Sequence, residues 1–157
     1  MVSFATLKRA ESEAAMTELK QLLSWLKTYP GWAEEIIHTD YMDGTAGCVA
    51  IYPKGVEILS SQEDLLGNAA VKYRCRYILR RQVAGPESNE KNAQWMMDFQ
   101  QWVQQQNEMG LTPRFGDVHI AESIQAEKGA LKERSGNGLA VYEVTLTAQY
   151  VRTYTIN

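Results

Sequence analysis

The chain has 157 residues, 45% hydrophobic and 22% charged, with a formal net charge of −3. These are the values of a single folded domain, residues 1–157, large enough to bury a core without a disulfide or metal. The acidic balance argues against a dedicated nucleic-acid binder, for which a basic excess is expected. The N-terminus lacks the apolar core of a signal peptide, and no apolar run reaches membrane-spanning length, so a protein made in the cytosol and kept out of the membrane is expected.

Residues 3–29 carry a helical pattern. Met16, Leu19, Leu22, Leu23 and Leu26 recur at three- and four-residue steps, while Lys8, Arg9, Glu11, Glu13, Glu18 and Lys20 cover the other face. Pro30-Gly31 stops the helix. Residues 32–37 read equally as a short strand or a further helical turn. Residues 40–47 are a polar connection and residues 47–52 a short apolar strand. Pro53-Lys54-Gly55 has turn composition, which makes residues 56–60 the return strand of a hairpin and residues 61–68 a polar loop.

Residues 69–83 sort their side chains most sharply. Val71, Tyr73, Cys75, Tyr77 and Leu79 fall on one face of an extended strand; Lys72, Arg74, Arg76 and Arg80 fall on the other, interrupted by Ile78. The two cysteines, Cys48 and Cys75, lie in predicted strands and read as reduced, buried thiols.

A second helix follows, capped by Ser88 or Asn89, with Glu87 and Glu90 at the positive end of its dipole. Trp95, Met96, Phe99, Trp102, Val103 and Gln106 form a broad stripe, and Gly110 is placed to end the helix. The stripe reads first as packing on a sheet. Pro113 to Asp117 is a turn, after which Val118, Ile120, Ile124 and Ala126 alternate with His119, Ala121 and Gln125, Glu122 intruding on the apolar side. Residues 127–138 are charged and close on Gly136-Asn137-Gly138, the composition of an exposed, mobile hairpin loop. The last strand, residues 139–156, puts Tyr142, Val144, Leu146, Ala148, Tyr150, Tyr154 and Ile156 on one face and Thr145, Thr147, Gln149, Thr153 and Thr155 on the other. The expected fold is α+β: a two-layer sandwich, mainly antiparallel, of about five strands with two helices on one face.

Catalytic and cofactor signatures are absent from the sequence. There is no glycine-rich phosphate loop, no Cys-x-x-Cys or His-x-x-x-His metal spacing and no G-x-S-x-G elbow, so no catalytic, cofactor-binding or metal residue is assigned and no enzyme is expected. The weak exception is His38 near Asp40 and Asp43, which reads better as a solvated loop. The basic strand face has three readings. It is a solvated face balanced by cross-strand acids such as Glu122 or Glu143, a subunit interface where Arg meets a neighbour's carboxylates, or a phosphate-contacting surface. Too few aromatics share that face to build a stacking platform for single strands.

The order of motifs resembles a family of small structural proteins of phages and phage-tail-like particles of Gram-positive bacteria, labelled minor capsid, tail-terminator, tail-completion or neck proteins. The residues that carry the resemblance are Trp25-Leu26-Lys27-Thr28-Tyr29-Pro30, Ile51-Tyr52-Pro53-Lys54-Gly55, the Lys72-to-Arg81 strand with its Tyr-Ile-Leu-Arg-Arg end, Asn92-Ala93-Gln94-Trp95 running to Phe99 and Trp102-Val103, and Pro113-Arg114-Phe115-Gly116-Asp117. The resemblance implies a ring, commonly a hexamer, on the head-proximal end of a tail tube, in a virion or tail-like particle assembled in the host cytoplasm. Its implied partners are further copies of itself, the tail-tube protein and sheath or head-completion proteins, with DNA only as it passes through the lumen, and no membrane. Ring contacts that close require one face to complement a different one. Candidate interface residues are Lys72, Arg74, Arg76, Arg80 and Arg81 on the strand and Lys128, Lys132 and Arg134 in the 127–138 segment. The competing reading is a small-ligand-binding domain with an aromatic pocket between helix 89–109 and the sheet.

Overall fold

Strand β3 (Ala69–Ala84) bears out the alternation: Val71, Tyr73, Cys75, Tyr77 and Leu79 are buried, Lys72 and Arg76 exposed. The computed structural model describes residues 18–32, 37–42, 47–84, 89–117, 120–134 and 138–155. In it β3 is the middle strand of a five-stranded sheet whose other members are β1 (Ile37–Thr39), β2 (Val49–Glu63), β4 (Ser123–Arg134) and β5 (Leu139–Tyr154), in the order β1-β2-β3-β5-β4. Only β1 and β2 run parallel; every other neighbouring pair is antiparallel. Helix α1 (helical over 18–26) and helix α2 (Asn89–Glu108) complete the expected α+β architecture. Leu22 and Leu26 of α1 and Met96, Phe99 and Val103 of α2 join the apolar face of β3 and β5 in one buried cluster.

Helix α2 ends as its sequence requires. Gly110, at φ 71°, takes the left-handed position, while Leu111 N–H donates to Gln106 O (2.9 Å) and Gly110 N–H to Asn107 O (3.2 Å). This pair of reversed bonds satisfies carbonyls the helix would otherwise leave open. The aromatic stripe is packing. Tyr29 sits among Trp32, Trp95, Phe99 and Trp102 at centroid distances of 5.0–5.9 Å, in edge-on and tilted geometries that suit ring quadrupoles. Their polar ends are satisfied too: Trp25 Nε1 donates to Leu111 O (2.7 Å), Trp32 Nε1 to Leu26 O, and Trp95 Nε1 to Gly31 O (3.3 Å).

Three expectations about connections are corrected. Residues 53–55 do not turn the chain. Strand β2 continues through Pro53 and Gly55 as an irregularity in its ladder with β3, and the reversal comes at residues 64–68. Long pairing with β3 outweighs a turn composition that a bulge absorbs equally well. Residues 127–134, expected as the start of an exposed loop, belong to β4, whose side chains are charged because it lies at the sheet's rim. Residues 120–122, expected in a strand, precede β4. The undecided 32–37 stretch yields a short 3-10 turn at Pro30–Trp32 and then β1. The expectations for residues 3–17, Ser88, Val118, His119 and residues 135–137 fall outside the described residues.

The Pro113-to-Asp117 corner is clamped onto β5 from several sides. The Glu122 carboxylate accepts Phe115 N–H and Gly116 N–H (both 2.8 Å), and Asp117 N–H donates to Val151 O (3.0 Å). The Asp117 carboxylate in turn accepts Thr153 N–H (3.0 Å) and Oγ1–H (2.6 Å). Glycine is required at 116 because a Cβ there would collide with the Val151 carbonyl. Gly116→Ala is expected to destabilise the fold by about 1–3 kcal/mol, read as a Tm lower by roughly 3–10 °C in thermal unfolding.

Candidate functional site

The side chains that β3 turns away from the helices form the centre of an open sheet face. Register places Lys72, Arg74, Arg76 and Arg80 beside Val151, Gln149, Thr147 and Glu143 of β5, with Gln125 and Glu127 of β4 beyond. On the other side Glu57 of β2 lies opposite Arg74. Arg74 Nε donates to Glu57 Oε1 (2.5 Å), Arg76 approaches the same oxygen at 3.8 Å, Arg80 Nε donates to Glu143 Oε2 (2.8 Å), and Lys132 Nζ lies 3.9 Å from Glu143 Oε1. The Arg74 hydrogen bond holds Glu57 below the usual carboxylate range. The Glu143 hydrogen bond likewise raises Arg80 above its ordinary value. Four cations thus share two carboxylates, and Lys72 adjoins them with no ion-pair partner among the described residues. Exposed pairs of this kind contribute little stability each, so they leave the face charged and hydrated rather than locking it.

The structure sorts the eight candidate cations. Lys72, Arg74, Arg76 and Arg80 share the open face, and Lys132 joins them through Glu143. Lys128 is exposed at the irregularity of β4, with φ 60°. Arg134 ends β4 opposite Ala140. Arg81 belongs to the other side of the sheet, where its guanidinium lies 4.3 Å from the Trp95 ring centroid and half-buried under α2. Of the two expected acids, Glu143 is in place, whereas Glu122 serves the 115–116 corner. Glu57 was illegible from sequence because its register depends on the bulge after Pro53.

A buried polar cluster was also missed. Glu18, assigned by periodicity to the solvent face of α1, is 0% exposed, with Oε1 3.1 Å from Arg152 Nη2. Arg152 Nε donates to Phe115 O (2.8 Å), its Nη2 bonds the same oxygen, and its guanidinium lies 5.6 Å from the Tyr150 ring centroid. The Glu18 oxygens and the nearby Tyr150 hydroxyl complete no hydrogen bond of good geometry among the described residues. The available signal was parity: Arg152 falls between Tyr150 and Tyr154 on the apolar face of β5. Burial pushes Glu18 up to about 7; the neighbouring Tyr150 hydroxyl and Arg152 oppose that rise and Glu122 adds to it.

Other candidates for chemistry are packed or scattered. His38 pairs along β1 with Ala50 and contacts the Tyr41 ring at 4.6 Å, while Asp43 lies outside the described residues. No group of three or more His, Cys, Asp or Glu is placed to hold a metal among the described residues, and no described helix is long and apolar enough to cross a membrane. Both cysteines are buried, and burial pushes the Cys75 thiol up to about 12. A groove of about 460 Å³ beside α2 is lined by Gln100, Gln104, Asn107, Ile124 and Ala126 among others, not by the aromatic stripe.

Glu18 sets a pH dependence whose sign follows from linkage. Between its ordinary 4.5 and about 7, the folded chain holds a proton that the unfolded chain releases, so stability falls as pH rises through this window. The difference amounts to up to about 3 kcal/mol. Urea unfolding across the window is expected to show that decline in the wild type and a flattened profile in Glu18→Gln. Compared with known proteins, the chain matches no family model and no curated sequence.

Proposed function

We propose that this chain is a structural virion protein that forms a ring on the head-proximal end of a phage or phage-like tail, ending tube assembly and offering the surface to which a neck, cap or head is joined. The observation that carries this reading is the sheet face left open by both helices, with its row of Lys72, Arg74, Arg76 and Arg80 shared between too few carboxylates. Arginines whose planar groups are already half-engaged by Glu57 and Glu143 keep donors to offer a neighbour's acids. The hydroxyls and amides of Thr145, Thr147 and Gln149, all half-buried, extend the same hydrogen-bonding surface across β5. Such a face suits polar contact between subunits better than turnover of a substrate.

The resemblance is carried by packing motifs, and each has a physical job in this fold. Trp25 and Tyr29 tie α1 to α2, the residues after Ile51 set the irregular course of β2, and Pro113 to Asp117 form the corner clamped on β5. A ring needs subunits of constant shape, and these clamps supply it.

Reversing both Arg74 and Arg76 to Glu sets two new carboxylates beside Glu57, three like charges together, without touching the core. In native mass spectrometry, with the tail-tube subunit present as template, the wild type is expected to give a closed oligomer, commonly six-fold, and the double variant no closed oligomer. An unchanged oligomer would exclude the strand face from the ring contact.

A further inference from the structure

The two rims of the sheet are not alike. At the start of β4 the outward main-chain groups are occupied, because Ile124 N–H donates to Asn107 Oδ1 (2.9 Å) and Gln100 Nε2 donates to Ala126 O (3.2 Å). Amides from α2 therefore cover the first part of that edge. At the other rim β1 pairs with β2 only over Val49, Ala50 and Ile51, and beyond Ile51 no strand covers β2 among the described residues. Residues 54–62 thus present an open row of peptide groups among the described residues.

Four of the eight large exposed hydrophobics among the described residues gather on or beside this open edge. Leu59 is 37% exposed within it, Leu65 and Leu66 stand almost wholly exposed at its hairpin tip, and Tyr41, just past β1, is 55% exposed. The tip is held rigid. The Asp64 carboxylate accepts Leu66 N–H (2.8 Å), Asn68 N–H (2.9 Å) and the Asn68 side-chain amide (3.0 Å), and Gly67 at φ 87° closes the turn. Two leucines fixed in water on an ordered turn are preorganised for burial, since little conformational freedom remains to be lost.

Pairing the β2 edge with its own equivalent about a two-fold axis continues the sheet into a second copy. We propose that β2 pairs antiparallel with β2 of a second copy, centred on Leu59. Centred there, Lys54 of each copy lies opposite Asp64 of the other, and Leu59 meets Leu59 on the axis. The tip leucines reach past the end of the strand toward Pro53 and the Tyr41 end of β1. Charge complementarity at both ends and an apolar centre favour this occupant over a foreign strand. The contact is independent of the ring: it yields a dimer, and applied to rings it would join two of them face to face.

Light scattering on the purified full chain is expected to give twice the 17.8 kDa chain mass, and Leu59→Glu to return it to a monomer. Leu59→Cys under mild oxidation is expected to form a covalent dimer. Leu131→Cys, equally exposed at 37% but on β4, serves as the control for random coupling, the native thiols being buried. A wild type that stays monomeric to its solubility limit overturns the pairing, and so does a Leu59→Cys yield no higher than the control, which leaves a foreign strand as the occupant. A closed oligomer on the tail-tube subunit that persists alongside either negative result retains the ring and sinks the dimer. A Leu59-dependent dimer with no ring on the tube subunit does the reverse.

Discussion

The unbroken ladder between β3 and β5 is the constraint on which the rest of the structure depends. It runs from Ala69 opposite Tyr154 to Ala84 opposite Leu139 without a register shift. Because side-chain direction alternates, a single slip anywhere in it would exchange the buried row from Val71 to Leu79 with the charged row from Lys72 to Arg80. Tyr73 stacked on Tyr150 at 5.3 Å, with their partner hydroxyl Tyr154 bonded to Tyr73 at 2.7 Å, fixes the register at one end. Arg80 hydrogen-bonded to Glu143 fixes it on the opposite face toward the other. The irregularities all lie outside this pair, two in the β2 ladder and two in the β4 ladder. The centre is rigid and the rims are free to be shaped.

What the ladder positions, the helices then lock to one side. Helix α1 is held by Trp25 to the end of α2 and by Glu18 to Arg152 of β5. Arg152 also grips Phe115, so one guanidinium joins the first helix, the corner before β4 and the last strand. A half-buried arginine meeting a buried acid that burial itself pushes toward neutrality is a poor source of net stability. Its value is geometric: it defines where three distant segments meet, and it would be left unpaired in any other arrangement. The open face owes its openness to this one-sided locking, because the buried apolar stripes of the helices are spent on the other side.

Periodicity made the centre of this fold legible and left its rims obscure. The faces of β3, β5 and α2 follow from alternation and helical spacing because each packs against something on one side only. Gly110 was readable as a helix end because a left-handed residue is needed there. Local composition failed where long-range pairing overrode it. Pro53-Lys54-Gly55 has the makings of a turn, yet the energy of seven further residues paired with β3 carries the strand through it. Charged β4 reads as loop because an edge strand capped by a polar helix face has little need of apolar alternation at its far half. Glu18 was misplaced for the same kind of reason, since its environment is set by Arg152, distant in the chain.

The same one-sided construction is what the proposed assembly role draws on. Among the described residues the buried titratable groups are dispersed through packing: Cys75 and Tyr77 in the core, Glu18 against Arg152. The polar chemistry is spread instead over a flat face and a strand edge, each repeating along the sheet. Repetition of weak contacts over a rigid surface is how large interfaces gain specificity without any single strong bond. In the proposed ring the flat face would meet an unlike surface of the next subunit, and in the proposed dimer the β2 edge would meet its own equivalent. One sheet would then carry two contacts of different symmetry, held at a constant angle by a ladder that forbids slippage.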